Sequence, residues 1–291
     1  MEILIILLVL LCLFLCYAVW QYFELKKFEV TEYQILSDKL CSEHRVAVIA
    51  DLHGFEYGRA NERLLQKIRE SSPGAILIAG DMVVSKEPES YRKAGMLLRQ
   101  LVKIAPVYYS FGNHESRASK KGLVVSEHFA AYIREMKEIG VRFLQNENTV
   151  MEAEGDRLFI GGIEIPLGFY EKGSAVSMDM DYVEQLMGPI PKGAFQILLA
   201  HNPMYSEQYA AWGADVTFCG HNHGGLVRIP GIGSLLSPQL TLFPKYNDGM
   251  YEIQGRKVIV SRGLGTHTFH VRVFNRAELI IVRLMPNTLE K

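Results

Sequence analysis

Five short polar clusters carry the residue types that hold metal ions: Asp51-Leu52-His53, Gly80-Asp81, Gly112-Asn113-His114-Glu115, Ala200-His201-Asn202-Pro203 and Gly220-His221-Asn222-His223. Asp51, His53, Asp81, Asn113, His201, His221 and His223 are the candidate ligands. Carboxylate, imidazole and one amide oxygen make a mixed nitrogen and oxygen shell. Such a shell suits Mn, Fe, Zn or Co better than the all-oxygen shell of Ca or Mg. The set exceeds what one tetrahedral zinc takes, and a carboxylate such as Asp81 can bridge two ions about 3.5 to 4 Å apart. The expected cofactor is a pair of divalent metal ions, in the geometry of hydrolytic phosphoester centres.

Each cluster follows an apolar run: Val46 to Ala50, Ala75 to Ala79, Val107 to Phe111, Ile197 to Ala200, and Val216 to Cys219. These read as buried strands, whose carboxyl ends are where α/β sheets gather ligands from distant parts of a chain. Taken singly, Asp51 reads equally as a turn residue and Asn113 as a left-handed one. His201 precedes Asn202-Pro203, a helix cap and first helical position, so it belongs to a strand-to-helix turn. His221 and His223 lie among Gly220, Gly224 and Gly225, which allow close backbone approach. Surface or core roles are expected for His44, His128, His267 and His270. Glu115 either orients His114 or caps a turn, and Glu164, after Leu158 to Ile163, either approaches the pocket or has a structural role. Arg117, Arg228 and Arg272 are candidates for gripping a substrate phosphate.

In this order the motifs DxH, GD, GNHE, a later His and GHxH resemble the calcineurin-like metallophosphoesterase superfamily, from about Arg45 to Leu284. The stretch from His201-Asn202-Pro203 through Gly220 to Gly225 to Ser261-Arg262-Gly263-Leu264-Gly265 resembles its membrane-associated bacterial branch. The resemblance implies Asp51, His53, Asp81 and His223 on one ion, and Asp81, Asn113, His201 and His221 on the other. It implies a metal-bound hydroxide attacking in line at phosphorus, with His114 stabilising or protonating the departing oxygen. Position 222 is Asn where relatives often have Thr. The expected activity is a membrane-anchored phosphodiesterase or pyrophosphatase. One alternative is a UDP-2,3-diacylglucosamine pyrophosphatase of lipid A synthesis, which an apolar cleft beside the metals would favour. A second is a metal-binding scaffold without catalysis, against which all seven ligand positions and His114 are filled. There is no G-x-x-x-x-G-K-[ST] loop, G-x-S-x-G elbow or H-E-x-x-H pair.

Ile3 to Trp20 is an unbroken apolar stretch that reaches the length of a bilayer span with Gln21 to Leu25, and Trp20, Tyr22 and Phe23 are placed like an interfacial belt. It lacks the basic start and small-residue cleavage site of a signal peptide. Leu11 and Leu15, before Cys12 and Cys16, are not the small residues of a lipoprotein site. Residues 1–25 are therefore expected to be a single-pass anchor in the cell membrane and residues 26–291 one phosphoesterase domain. Lys26-Lys27, offset by Glu24 and Glu29, leaves the side that domain faces undetermined. The formal net charge of −1 gives no reason for a nucleic-acid partner, so the expected partners are the membrane and a phosphoester or pyrophosphate, lipid-linked in one reading. Cys41 and Cys219 are expected to be unpaired. Helical spacing is found at Asn61 to Glu70, Tyr91 to Val102, Ser126 to Ile139 and Pro203 to Trp212. Glu29 to Leu36, Val141 to Gly162, Met250 to Ser261 and Ala277 to Leu284 read as strands, with hairpins at Gly155-Asp156 and Gln254-Gly255, and Gly231 to Asp248 as a loop. The fold class is α/β, a two-sheet sandwich flanked by helices in four layers.

Overall fold

The computed structural model describes the chain except residues 121–123, 174–175, 226–227, 230–232, 238–239, 267–270 and 288–291. His267 and His270 lie outside the described residues. The chain opens on α1 (Glu2–Glu24), β1 (Phe28–Ser37), β2 (His44–Ile49), α2 (Glu62–Glu70), β3 (Ala75–Ala79), α3 (Pro88–Leu101) and β4 (Val107–Ser110). It continues with α4 (Asn113–Ala118), α5 (Val124–Glu138), β5 (Arg142–Leu144), β6 (Glu147–Ala153), β7 (Asp156–Ile163) and α6 (Tyr182–Met187). Then come β8 (Phe195–Ala200), α7 (Ser206–Trp212), β9 (Val216–Cys219), β10 (Arg228–Ile229), β11 (Gly233–Ser234), β12 (Gly249–Ile253), β13 (Arg256–Val260) and β14 (Ala277–Pro286).

Among the described residues two six-stranded sheets form, in the orders β1-β14-β2-β3-β4-β5 and β12-β13-β9-β8-β7-β6, and β10 pairs with β11 apart from them. Period-2 burial decides the layering. Val46, Val48, Leu77 and Ala79 point between the sheets to meet Ile197, Leu199 and Phe218. Their neighbours Ala47, Ile49, Ile76 and Ile78 point outward under α2, α3 and α5. Leu198 and Ala200 point the other way, under α6 and α7. Both faces of these strands are covered, which is why they read as continuous apolar runs rather than alternating ones.

Strands β2, β3, β4 and β5 run parallel to one another, as do β7, β8 and β9, so their carboxyl ends are shared edges. The stretch expected from Glu29 to Leu36 is β1, paired in parallel with β14, which runs antiparallel to β2. Two details differ from the sequence reading. The first hairpin turns at Glu154-Gly155, both at positive φ, one residue earlier than expected. The stretch from Gly231 to Asp248 is not all loop, since it supplies β11 and a bridge between Leu236 and Leu242. Helices α4 and α6 are each only six residues long, too short to show an apolar periodicity in the sequence.

Candidate metal centre

Asp51 and His53 follow β2, Asp81 follows β3, Asn113 opens α4 after β4, His201 follows β8, and His221 and His223 follow β9. All seven are buried, and the strand ends are stitched together beyond the sheets. Asp51 N–H donates to Gly80 O at 3.0 Å, His53 N–H to Asp81 O at 3.0 Å, and Gly220 N–H to His201 O at 3.0 Å. Asp51, His53, Asp81, His221 and His223 all hold φ between 50° and 69°. Left-handed backbone costs a non-glycine residue about 1–2 kcal/mol, so the surrounding contacts, or a ligand, must hold this backbone in place.

Two trios bring ligand atoms within 4.8 Å of one another: Asp51, His53 and His223, and Asp81, His201 and His221. A further trio of His53, Asp81 and His114 links them. His53 Nε2 and His223 Nε2 are 3.1 Å apart. Two imidazole nitrogens that close need a proton or a cation between them. Asp51 Oδ1 lies 3.5 Å from His223 Nε2 and 3.7 Å from His201 Nε2, and Asp81 Oδ2 lies 3.1 Å from His201 Nε2. Burial pushes the Asp51 carboxyl up to about 7, against the pull of His201. Burial also opposes charge on His201, but Asp81 and then Asp51 outweigh it and carry the imidazole up to about 10. Burial opposes charge on the Asp81 carboxyl too, but His201 outweighs it and holds the group well below its ordinary value.

Glycine is needed where the loops touch. A Cβ on Gly112 would stand 2.2 Å from Asp81 Oδ1, and one on Gly220 would stand 2.5 Å from Asp51 Oδ2. The Asp51 carboxylate also accepts the His221 backbone N–H at 3.0 Å on each oxygen. Residues 44–225, well over half of the chain, match the calcineurin-like phosphoesterase domain. The chain belongs to the calcineurin-like phosphoesterase family. It is a metal-dependent phosphoesterase, of a family that works with two divalent metal ions.

This phosphoesterase is 24% identical over 279 residues to YkuE of Bacillus subtilis (strain 168), described as an uncharacterised metallophosphoesterase, covering 92% of this chain and 89% of the relative. It is 26% identical over 219 residues to the phosphodiesterase YaeI of Escherichia coli (strain K12), covering 74% and 72%. The 5′-nucleotidase precursor of Thermus thermophilus shares the fold at a TM-score of 0.50 and 16% identity, over 84% of this chain and 54% of that one.

The residues fit a phosphoesterase metal pair. Asn113 Oδ1 is buried without a hydrogen-bond partner, and His201 Nδ1–H donates to Ala79 O at 2.7 Å, which turns Nε2 toward the carboxylates. His114 is arranged the other way. The Ser85 N–H donates to its Nδ1 at 3.0 Å, which leaves the ring proton on Nε2, and its ring centroid is 4.9 Å from that of His53.

Glu115 does not turn toward His114. Its carboxylate accepts N–H bonds from Asp81, Met82 and Gly112 and the Tyr109 hydroxyl, which fixes the strand-end loops. Of its two readings Glu164 takes the structural one, accepting from Ser116 Oγ at 2.6 Å and Gln145 Nε2 at 2.9 Å. His44 takes a core role against Asp156 at 2.8 Å. Arg117 is half-buried on α4, and Arg228 pairs with Asp248. Arg272 is corrected: its guanidinium is buried and donates to the carbonyls of Arg262, Gly263, Gly265 and Asn275, so it grips backbone rather than phosphate. Cys41 and Cys219 are free thiols. Asn275 was not foreseen. Its Nδ2 donates to His223 O at 2.6 Å and Gly225 O at 2.7 Å, tying down the His221-to-Gly225 turn from a segment without any motif.

Proposed function

We propose that this phosphoesterase is anchored in the cell membrane by residues 1–25 and hydrolyses phosphodiesters or pyrophosphates with residues 26–291. Asp51, His53, Asp81 and His223 would hold one ion and Asp81, Asn113, His201 and His221 the other. The observation that carries this assignment is Asp81, whose carboxylate belongs both to the trio with His201 and His221 and to the trio with His53. Bound there, a pair drawn from Mn, Fe, Zn or Co supplies Lewis-acid activation of water and charge neutralisation at the phosphoryl group. The chain's own part is to hold the two clusters at fixed spacing and to aim His114. With Nδ1 occupied by the Ser85 amide, neutral His114 presents Nε2–H as a hydrogen-bond donor to an oxygen gaining charge. This supports stabilisation of the departing oxygen over proton transfer, since giving up the Nε2 proton would leave an imidazolate.

Support for the anchor lies in α1, whose residues Ile3 to Leu11 are each more than half exposed. Its 23 residues reach about 34 Å at 1.5 Å per residue, close to the hydrocarbon core of about 30 Å. An apolar helix of that length facing no protein belongs in lipid. A cavity of about 390 Å³ lies against Asn222, lined by Val176, Met178, Met204, Tyr205 and Pro244 among others. Such an apolar wall next to the His221 and His223 turn favours the second reading, a pyrophosphatase acting on a lipid-linked substrate such as UDP-2,3-diacylglucosamine. The purified full chain, stripped of metal and given Mn²⁺, tests both. Turnover of diesters or sugar-nucleotide pyrophosphates above that of monoesters is expected, and preference for monoesters would overturn the proposal.

A further inference from the structure

Among the described residues of α1, Gln21 alone is buried, and it reaches across the fold. Its Nε2–H donates to Arg272 O at 3.0 Å and its Oε1 accepts from Arg272 N–H at 3.1 Å. Arg276 closes on Glu24 at 2.8 Å. The end of the apolar helix is thus pinned in register to the 271–276 segment. If α1 spans a bilayer, as proposed above and as this inference requires, that segment stands at the lipid boundary.

The same surface continues outward by hydrogen bonds. Arg228 N–H donates to Val273 O at 3.2 Å, Arg228 pairs with Ser234 across β10 and β11, and Leu235 O accepts from Phe243 N–H at 3.1 Å. At about 5 Å per strand spacing and about 4 Å for the step from Ser234 to Leu235, Phe243 lies within roughly 20 Å of Val273. This surface is apolar where a water-facing one would not be. Leu242 and Phe274 are each 66% exposed and Phe243 60%, with Leu240, Ile229 and Val271 exposed beside them. Leu240, Phe243 and Phe274 also hold φ of 63°, 46° and 50°. Bulky residues rarely adopt left-handed backbone, so these loops hold their apolar side chains outward at a cost, and a patch of large side chains shown to water marks an interaction surface.

We propose that Ile229, Leu240, Leu242, Phe243, Val271 and Phe274 form a bilayer-docking face, which seats the catalytic domain against the membrane that α1 enters. The occupant is lipid because the face is continuous with the exit of α1. Tethering on a two-bond clasp leaves the domain little freedom to present it elsewhere. Thr241 and Pro244, from the same loop, line the cavity beside Asn222, so the loop would meet lipid on one side and wall the cavity on the other. Asn275, next to Phe274, holds the His223 carbonyl. A phosphoester headgroup could then reach the metal cluster without leaving the interface.

Tryptophan quenching in vesicles of brominated phosphatidylcholine tests this with the full chain. Trp20 sits in α1 and reports the anchor, while Trp212 is buried over the second sheet and gives the baseline. Quenching of Trp20 is expected, as is quenching of a new tryptophan in Trp20→Phe/Phe243→Trp and in Trp20→Phe/Phe274→Trp. Quenched Trp20 with both new tryptophans unquenched would overturn the docking face and leave the anchor standing. Unquenched Trp20 would overturn both. A second readout is Leu242→Ser/Phe243→Ser. Its turnover of the p-nitrophenyl ester of phosphatidic acid in vesicles should fall several-fold, with turnover of soluble bis-p-nitrophenyl phosphate unchanged. An equal fall on both would overturn the proposal.

Discussion

His201 and His114 both approach Asp81 with opposite ring protons, and one backbone neighbour sets each. His201 Nδ1–H donates to the Ala79 carbonyl, which leaves Nε2 to face the carboxylates, while an amide at Ser85 fills Nδ1 of His114 and leaves Nε2–H as a donor. His114→Ala should therefore keep both metals and lose about 10²–10³-fold in turnover. His114→Gln, which retains an N–H donor, should recover part of that. Because hydrogen bonding rather than proton transfer is lost, alkyl and p-nitrophenyl esters should suffer similarly. A loss confined to the poor leaving group would make His114 a general acid. Two titrations give a further expectation. Asp51 and His201 are both raised in the metal-free fold, to about 7 and about 10, so the folded chain binds more protons than the unfolded one. Their stabilising contribution is whole at low pH and is lost as pH rises through those values. Thermal melts of chelated protein should thus fall between about pH 5 and pH 9, with Mn²⁺ restoring more stability at the upper end. A chelated Tm that rises over that window would contradict the assignment.

Strand ends carry the site, and their loops are held by contact rather than by pattern. Gly220 has no room for a side chain above Asp51, so Gly220→Ala should cost about 1–3 kcal/mol and loosen the ion beside Asp51. Metal analysis showing two ions and unchanged affinity would refute that. At the far end of the sandwich, Asp156 at the start of β7 accepts from the N–H groups of Cys41 and Ser42 and from His44 at the head of β2, which joins the two sheets. Removing the acceptor leaves these donors unpaired, which costs about 1–3 kcal/mol. Asp156→Ala should accordingly lower stability by that order in denaturant melts while leaving metal content intact. Metal loss in a folded Asp156→Ala protein would mean that the two ends of the sandwich are coupled.

The four layers form one scaffold, and α1 meets it at its end, through Gln21 and Glu24. Carbonate washing should leave the full chain in membranes, and its release would remove the anchor. Deleting residues 1–25 should yield a soluble active domain, less stable by about 1–3 kcal/mol because both Gln21 hydrogen bonds go with it. The sequence by itself determined the apolar helix, the buried strands and the order of Asp51, His53, Asp81, Asn113, His201, His221 and His223 at strand ends. Each of those signals is local: burial writes itself as runs of apolar residues, and ligand chemistry as residue type. It could not assign Arg272, whose charge suits phosphate as well as it suits buried carbonyls, nor find Asn275, which has no spacing to mark it. Only the tertiary structure decided that β1 lies beside β14, that Gln21 clasps a segment 251 residues away, and that Nδ1 of His201 meets a carbonyl while Nδ1 of His114 meets an amide. Such choices depend on which groups the chain brings together from a distance, and no segment records the identity of its distant neighbour.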